Sequence, residues 1–186
     1  MISFNCHFDR VGGDFLIIFL MRIELTEDDL KFAESVALQR NQSQRQAGRA
    51  DGLVKGSSLG RDLQGAEAEL AVSKALDLPW DGKWLPIPVW DTWKIDGYDV
   101  GNLEIRSTDL PNGRLILHHS DKDTAPYVLV ISDERPIYKL VGWIYGSEGK
   151  QKQYWRSNVP RPCYMIPQSK LRDMKEIVEK LSNSSK

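Results

Sequence analysis

The residues best suited to chemistry lie in the segment 95–106, which reads IDGYDVGNLEIR. Residues two apart on a strand share a face, so Glu104 and Arg106 point the same way if the segment ends in a strand. Asp99 precedes a Gly-Asn turn that would bring its carboxylate back toward Glu104. Two carboxylates and the Ile105 carbonyl form an oxygen-rich group, which hard divalent cations prefer. The segment therefore predicts a site for Mg²⁺ or Mn²⁺.

Simpler interpretations of these residues stay open. Glu104 and Arg106 could form only a same-face ion pair on an exposed strand. Asp96 and Asp99 flank Gly97, and both are residue types that turns favour. For Asp96 the turn is the preferred interpretation.

A third carboxylate is expected from a helix predicted over about residues 63–77. At about 100° per residue, small and apolar side chains flank Glu69, whereas Glu67 lies on the side of Lys74. We therefore expect Glu67 to face solvent and Glu69 to face the fold. A carboxylate on a packed face needs a partner or a metal, which makes Glu69 the candidate.

A basic stretch precedes this helix. Residues 40–61 carry five cationic side chains and one acidic side chain, a net charge of +4, although the whole chain has a formal net charge of -1. The cations are Arg40, Arg45, Arg49, Lys55 and Arg61. A local patch of this kind can hold a nucleic-acid backbone, and a solvated surface is the alternative. The overall charge excludes a general nucleic-acid coat.

The elements that must position these residues follow from the rest of the chain. The length of 186 residues and the hydrophobic fraction of 41% predict one globular domain and exclude a disordered chain. Helices are predicted from Thr26 to about residue 46, over 63–77, and from Ser169 onward. Strands are predicted over 102–107, 114–118, 127–132, 137–145 and 163–166. This order predicts an α/β (α+β) single domain with a central mixed sheet flanked by helices.

The N-terminal boundary has two interpretations. The apolar run at 15–21 is too short to cross a bilayer, which needs about 20 residues. It is either a strand or part of an extension before a natural start at Met21, in which case residues 1–20 would be disordered or loosely packed. A single domain is predicted over 21–182, and a disordered tail over 183–186.

A helix with G-x-x-x-E, followed by D-x-x-x-x-E-x-R opening a strand, resembles the PD-(D/E)XK nuclease superfamily. Further segments resemble small nuclease-like proteins of phages and prophages, so that the resemblance covers about residues 26–176. These segments are GAEAELAVSKAL, YDVGNLEIRST, PYVLV, VGWIYG and YMIPQSKL. The resemblance implies a restriction-endonuclease-like core and hydrolysis of phosphodiester bonds, in DNA rather than RNA.

The resemblance also implies roles for individual residues. Asp99 and Glu104 match the two metal-binding acids of the family, with Asp96 as a fallback, and Glu69 matches the acid of the preceding helix. One or two Mg²⁺ or Mn²⁺ ions are the implied cofactor. Arg106 stands where the family has lysine. Arginine binds phosphate well through its fork of donors, but it is a poor proton acceptor because it stays charged.

The arginine at position 106 leaves the source of the family's lysine open. Lys55 and Lys122 could supply that lysine, and His118 could line the site. Alternatively, the chain is a nucleic-acid-binding module with a degenerate site. A third possibility is a phage-encoded interaction or inhibitor protein that binds a protein partner through the tryptophan-rich segment 80–93 and the predicted hairpin of strands 127–132 and 137–145. Cys6 and Cys163 are too few for a disulfide scaffold, so a cytoplasmic protein is expected, that of the host if the chain is phage-encoded.

Overall fold

A computed structural model describes the chain over residues 2–11, 14–46, 58–80, 82 and 97–184, with side chains from residue 21 to residue 181 within those ranges. Its strands are Ile2–Val11 (β1), Asp14–Glu24 (β2), Glu104–Thr108 (β3), Leu115–Leu117 (β4), Pro126–Glu134 (β5), Ile137–Tyr145 (β6), Trp155–Arg156 (β7) and Cys163–Ile166 (β8). Its α-helices are Glu27–Gln46 (α1), Ser58–Leu76 (α2), Gly146–Gly149 (α3) and Met174–Ser184 (α4), and 3₁₀ turns cover Lys152–Tyr154 and Gln168–Lys170.

The central sheet is mixed. Its strand order is β1-β2-β6-β5-β3, in which β3 runs parallel to β5 and the other pairs are antiparallel. A second, antiparallel sheet has the order β4-β8-β7. The predicted fold class, a single α/β (α+β) domain with a central mixed sheet and flanking helices, is confirmed.

Two cores lie on opposite faces of the central sheet. Successive residues of β5 alternate between them: Val128 and Val130 face α1, α2 and α4, whereas Leu129 and Ile131 face the second sheet. All four side chains are at most 1% exposed. Because both faces of β5 are covered, its sequence is almost continuously apolar, as its predicted central position requires.

The first helix begins where the sequence indicates. The Thr26 hydroxyl oxygen accepts the Asp29 N–H at 3.2 Å, and the Asp29 carboxylate accepts the Thr26 N–H at 2.8 Å. This reciprocal pair satisfies two main-chain donors at the helix start. The predicted apolar stripe of Ala33, Val36 and Ala37 is buried in the first core.

Two predicted helix starts are wrong. The second helix begins at Ser58 and not at residue 63, so Asp62 lies inside it. The Asp62 carboxylate accepts a hydrogen bond from the Asn41 amide at 3.1 Å, which ties α1 to α2. The last helix begins at Met174 and not at Ser169. The Asp173 carboxylate accepts the Lys175 N–H at 2.8 Å there, which is the bond of a helix cap.

Both ends of the chain contribute regular structure. The apolar run at 15–21 lies in β2, which pairs with β6 over Met21–Glu24. The helix α4 extends to Ser184, two residues into the predicted tail. Among the described residues, no helix has both the length and the apolar character that a membrane span requires.

Candidate functional site

A tight turn returns the chain so that Asp99 reaches β3. Gly101 has a φ of +57°, a conformation that glycine adopts at no steric cost, and Val100 and Leu103 bridge across the turn. The Ile105 N–H then donates to Asp99 Oδ2 at 2.7 Å. The predicted return of Asp99 toward Glu104 is therefore confirmed.

Arg106 gathers three carboxylates around one guanidinium. Its Nη1 lies 3.5 Å from Glu104 Oε2 and 4.0 Å from Asp99 Oδ2. Its Nη2 lies 3.2 Å from Asp121 Oδ2. The guanidinium also lies over the Tyr127 ring, 4.9 Å from its centroid. We call Asp99, Glu104, Arg106 and Asp121 the Asp99 cluster.

The Asp99 cluster has more negative charge than its arginine balances. Burial and the charges of Glu69 and Glu104 raise the pKa of Asp99 to about 7. Burial, with the charge of Asp121, also raises the pKa of Glu104, although Arg106 opposes it. Burial alone would lower the pKa of Arg106, but the surrounding carboxylates outweigh it and raise that pKa. A buried, uncompensated charge is costly, and such groups are concentrated at functional sites.

Asp121 is a site residue that the sequence analysis missed. Its Oδ2 accepts both the Arg106 guanidinium and the His118 N–H, the latter at 2.9 Å. The segment HHSDKD invites a metal site of histidines and acids, but adjacent residues on a strand point to opposite faces, so that interpretation is not preferred and Asp121 is not assigned to the site from the sequence. The signal that was available was the presence of two further acids in a short loop after a strand expected to neighbour β3.

The loop that carries Asp121 is held firmly. The Lys150 ammonium donates to the carbonyl oxygens of His119 and Asp121 and, at 2.8 Å, to Asp123 Oδ1. Lys122 follows Asp121 in this loop, and its Nζ lies 4.6 Å from the centroid of the Tyr98 ring. The Lys122 charge acts to lower the pKa of Glu104, so this lysine lies within electrostatic reach of the site.

Glu69 lies beside the Asp99 cluster but is already bound. Arg40 donates to both of its carboxylate oxygens, at 2.7 and 2.6 Å, and Trp80 Nε1 donates to Oε2 at 2.8 Å. Glu69 is buried as predicted, with 7% of its surface exposed. Its charge raises the pKa of Asp99, which shows that the two carboxylates are electrostatically coupled. Arg40 therefore faces inward, not toward a surface patch.

The expectation that Glu67 faces solvent is wrong. Glu67 is 4% exposed, and its carboxylate accepts hydrogen bonds from Tyr138 Oη at 2.6 Å and from Arg135 Nε at 2.9 Å. The helix α2 packs against α1 on one side and against the central sheet on the other, so both faces are covered. We call Glu67, Arg135 and Tyr138 the Glu67 cluster.

The remaining candidates are dispersed. Arg45 is exposed in the last turn of α1, and Arg61 lies in the first turn of α2. Burial and the charge of Arg161 lower the pKa of His118, whose strand lies beside β3. Arg49, Lys55, Asp96, Trp84, Trp90 and Trp93 lie outside the described residues.

The Asp99 cluster fits a divalent cation as an open site. No three histidine, cysteine or acidic side chains in the described ranges are grouped closely enough to enclose a metal ion. Mg²⁺, however, is usually held by one or two carboxylates together with waters and substrate phosphates. Asp99 and Glu104 supply two such carboxylates, and their raised pKa values reflect the negative charge that a cation would relieve.

Comparison with known proteins does not identify a family for this chain. No protein-family model matches the chain, and no curated protein or solved structure shows a significant match to it. The function is therefore inferred from the Asp99 cluster and from the surface around it.

Proposed function

We propose that this chain is a metal-dependent nuclease of the PD-(D/E)XK type, of phage or prophage kind, which hydrolyses phosphodiester bonds of DNA in the cytoplasm. The observation that carries the proposal is the crowding of Asp99, Glu104 and Asp121 around the Arg106 guanidinium. A fold has no structural need for three carboxylates on one arginine, whereas a site that binds cations and phosphate needs both kinds of charge.

Each residue of the cluster has a distinct role in this proposal. Asp99 and Glu104 would hold one or two Mg²⁺ or Mn²⁺ ions, whose chemistry is to polarise the phosphate and acidify a bound water. Arg106 donates to a non-bridging phosphate oxygen and stabilises the charge that develops there. Glu69 contributes through its charge on Asp99 while Arg40 holds it in place.

The reaction consumes one water per bond. The water oxygen bonds to phosphorus, the bond from phosphorus to the leaving sugar oxygen breaks, and that oxygen takes up a proton while the attacking water loses one. Arg106 stays protonated and is unsuited to accept that proton. Lys122 is the described lysine whose charge already reaches Glu104, so we assign it the second cationic role.

The test is cleavage of DNA by the purified chain. Plasmid and single-stranded DNA are incubated with Mg²⁺, with Mn²⁺ and with EDTA. We expect metal-dependent cleavage that Asp99→Asn and Glu104→Gln abolish. Asp133→Asn is the matched control, because Asp133 is similarly buried but pairs with Lys139 at 2.9 Å, outside the cluster. Absence of metal-dependent cleavage, or cleavage that survives both site variants, would overturn the proposal.

A second candidate is a nucleic-acid-binding module that has kept the fold and lost the chemistry. It is favoured by the arginine at position 106, whose guanidinium already lies against three carboxylates and donates to the Ile105 carbonyl at 3.1 Å. It predicts that the wild-type chain binds DNA equally well with Mg²⁺ and with EDTA and leaves it intact. Binding that requires metal would contradict it.

A further inference from the structure

A groove of about 530 Å³ begins at Arg106 and runs away from the carboxylates. It lies between β3 and the outward face of β4, and Met165 of β8 also lines it. We call it the β3–β4 groove; the residues that matter to the argument are Arg106, Leu110, Arg114, Ile116, His118 and Met165.

The strand β4 presents one face to this groove. Leu115 and Leu117 are completely buried in the second core, so the alternate residues Arg114, Ile116 and His118 share the outward face. Ile116 is 38% exposed, and Leu110 across the groove is 63% exposed. The exposed apolar side chains of Ile116 and Leu110 thus lie beside the basic side chains of Arg114 and His118.

The charge in the groove is opposite to that of the Asp99 cluster. Arg106 and Arg114 line it, and the charge of Arg161 reaches His118. No carboxylate is among the described residues that line the groove. Arg106 therefore stands at a boundary, with acids on one side and a cationic, partly apolar groove on the other. A polyanion with apolar faces complements this arrangement.

We propose that the β3–β4 groove binds an unpaired strand of nucleic acid next to the phosphate at Arg106. Arg114 contacts the following phosphate, and Ile116 contacts a base. The proposal rests on the proposed function for its anchor at Arg106 and adds the substrate class. The exposed apolar side chains of Leu110 and Ile116 offer contacts to the face of a base, which an unpaired strand exposes and a duplex keeps stacked. Single-stranded or frayed DNA is therefore the preferred ligand.

Binding without turnover tests the groove. The wild-type chain is titrated in EDTA against a fluorescein-labelled oligothymidine of about ten nucleotides, a typical single-strand site size, and against a hairpin duplex. Arg114→Glu is the groove variant. Lys31→Glu is its control, with the same charge change on α1, across the sheet from the groove. Ile116→Ser removes the apolar contact at an outward position where the fold does not need it.

We expect the oligothymidine to bind at least about tenfold more tightly than the hairpin. Arg114→Glu should weaken it about tenfold and lower the slope of log affinity against log salt by about 0.7, the value for one phosphate of a single strand. Lys31→Glu should weaken it less than about threefold, since its charge is exposed and distant. Ile116→Ser should weaken binding about threefold without changing the salt slope.

Equal losses in Arg114→Glu and Lys31→Glu, or tighter binding of the hairpin, would overturn the proposal. So would binding of an extended peptide along β3 with no affinity for oligothymidine. The outcome is separate from that of the nuclease test. If the chain binds the strand through Arg114 but cleaves no DNA, the groove proposal stands and the nuclease proposal fails. If the chain cleaves DNA but Arg114 does not affect binding, the nuclease proposal stands and the groove proposal fails.

Discussion

The Glu67 cluster and the Asp99 cluster are both networks of charged side chains, but their ratios of carboxylate to cation are opposite. Glu67 is 4% exposed, whereas the side chains of the Asp99 cluster are 15–29% exposed. In the first, one carboxylate receives Tyr138 Oη and two nitrogens of Arg135, Nη2 at 2.6 Å and Nε at 2.9 Å. In the second, one guanidinium faces three carboxylates. The first network satisfies its buried charge, and the second leaves negative charge unsatisfied.

This difference separates a charge network that stabilises the fold from one that serves a functional site. A satisfied buried pair is costly to break, because removing one partner leaves the other as an unpaired charge shielded from water. An overcrowded site destabilises the fold and persists only where the surroundings enforce it, as at functional sites. Here Leu103 and Tyr127, each at most 1% exposed, hold the turn and β5 around the crowded carboxylates.

The largest expected contrast is between two glutamate-to-glutamine changes. Glu104→Gln should lower DNA cleavage by about 100- to 1,000-fold, the effect of losing one preorganised electrostatic contact, with little loss of stability. Glu67→Gln should keep the activity of the folded protein but lower the free energy of unfolding by about 2 kcal/mol, since it weakens the hydrogen bonds that Tyr138 and Arg135 donate to the carboxylate. Cleavage rates and urea unfolding of the two variants measure both effects.

The reverse pattern would break the comparison. If Glu67→Gln abolishes cleavage at a temperature where circular dichroism shows it folded, then the Glu67 cluster also serves function. If Glu104→Gln unfolds as readily as Glu67→Gln, then the Asp99 cluster is structural.

The next effect concerns the arginine that neutralises Glu69. Arg40→Met should lower the free energy of unfolding by about 3 kcal/mol, because it leaves the buried Glu69 carboxylate beside Asp99 without its cation, although Trp80 Nε1 still donates to it. The double variant Arg40→Met/Glu69→Gln should recover most of that loss. Arg135→Met is the matched control in the Glu67 cluster. Its guanidinium is 52% exposed, and Tyr138 Oη still donates to Glu67 in its absence, so its loss should cost less than that of Arg40, about 2 kcal/mol.

A Glu69→Gln change that fails to rescue Arg40→Met would show that Arg40 acts by packing and not by charge. Urea unfolding of the four single and double variants gives the coupling energy between the two residues directly.

Much of the site could be predicted from local spacing. The turn at Gly101 and the shared face of Glu104 and Arg106 depend only on residues a few positions apart, and the strand β6 was predicted with its observed bounds. The burial of Glu69 was also predicted, because its flanking residues are small or apolar. The restriction-endonuclease-like core and the catalytic assignment stay predictions.

What the sequence did not predict depends on long-range packing. Glu67 looked exposed because helix periodicity describes one buried face, whereas α2 is covered on two. Asp121 reaches Arg106 from 15 residues away through the return from β4, which no local pattern encodes. Arg40 looked like part of a basic surface, and only its pairing with Glu69 across 29 residues turns it inward.

The crowding of the Asp99 cluster should also appear as a pH-dependent cost to stability. The pKa of Asp99 rises from its ordinary value of 3.8 to about 7 in the folded protein, so the folded state holds a proton that the unfolded state has lost. Stability should therefore fall as the pH rises from about 4 to about 7. Asp99→Asn keeps an acceptor for the Ile105 N–H, and it should raise the free energy of unfolding by about 2 kcal/mol above that range.

The same variant should have almost no effect below about pH 4, where the aspartate is protonated in both states. Thermal unfolding at a series of pH values in EDTA measures the difference. A destabilised Asp99→Asn at high pH would mean that the carboxylate is satisfied, and the contrast with the Glu67 cluster would then disappear.

The smallest expected effect concerns Lys122. It tests whether the Asp99 cluster, unlike the Glu67 cluster, uses a second cation. The Glu67 cluster needs no second cation, whereas the Asp99 cluster has a lysine whose charge reaches Glu104 without a direct ion pair in the described contacts. The carboxylates around Arg106 balance its charge, so Lys122 would supply the positive charge that stabilises the transition state. Lys122→Met should then lower kcat about tenfold, which corresponds to a rise of about 1.4 kcal/mol in the activation free energy, with little change in KM. Lys152→Met, on the exposed 3₁₀ turn, is the control and should leave kcat unchanged. A loss in KM alone would place Lys122 in substrate binding and leave Arg106 as the cation that acts in the chemical step.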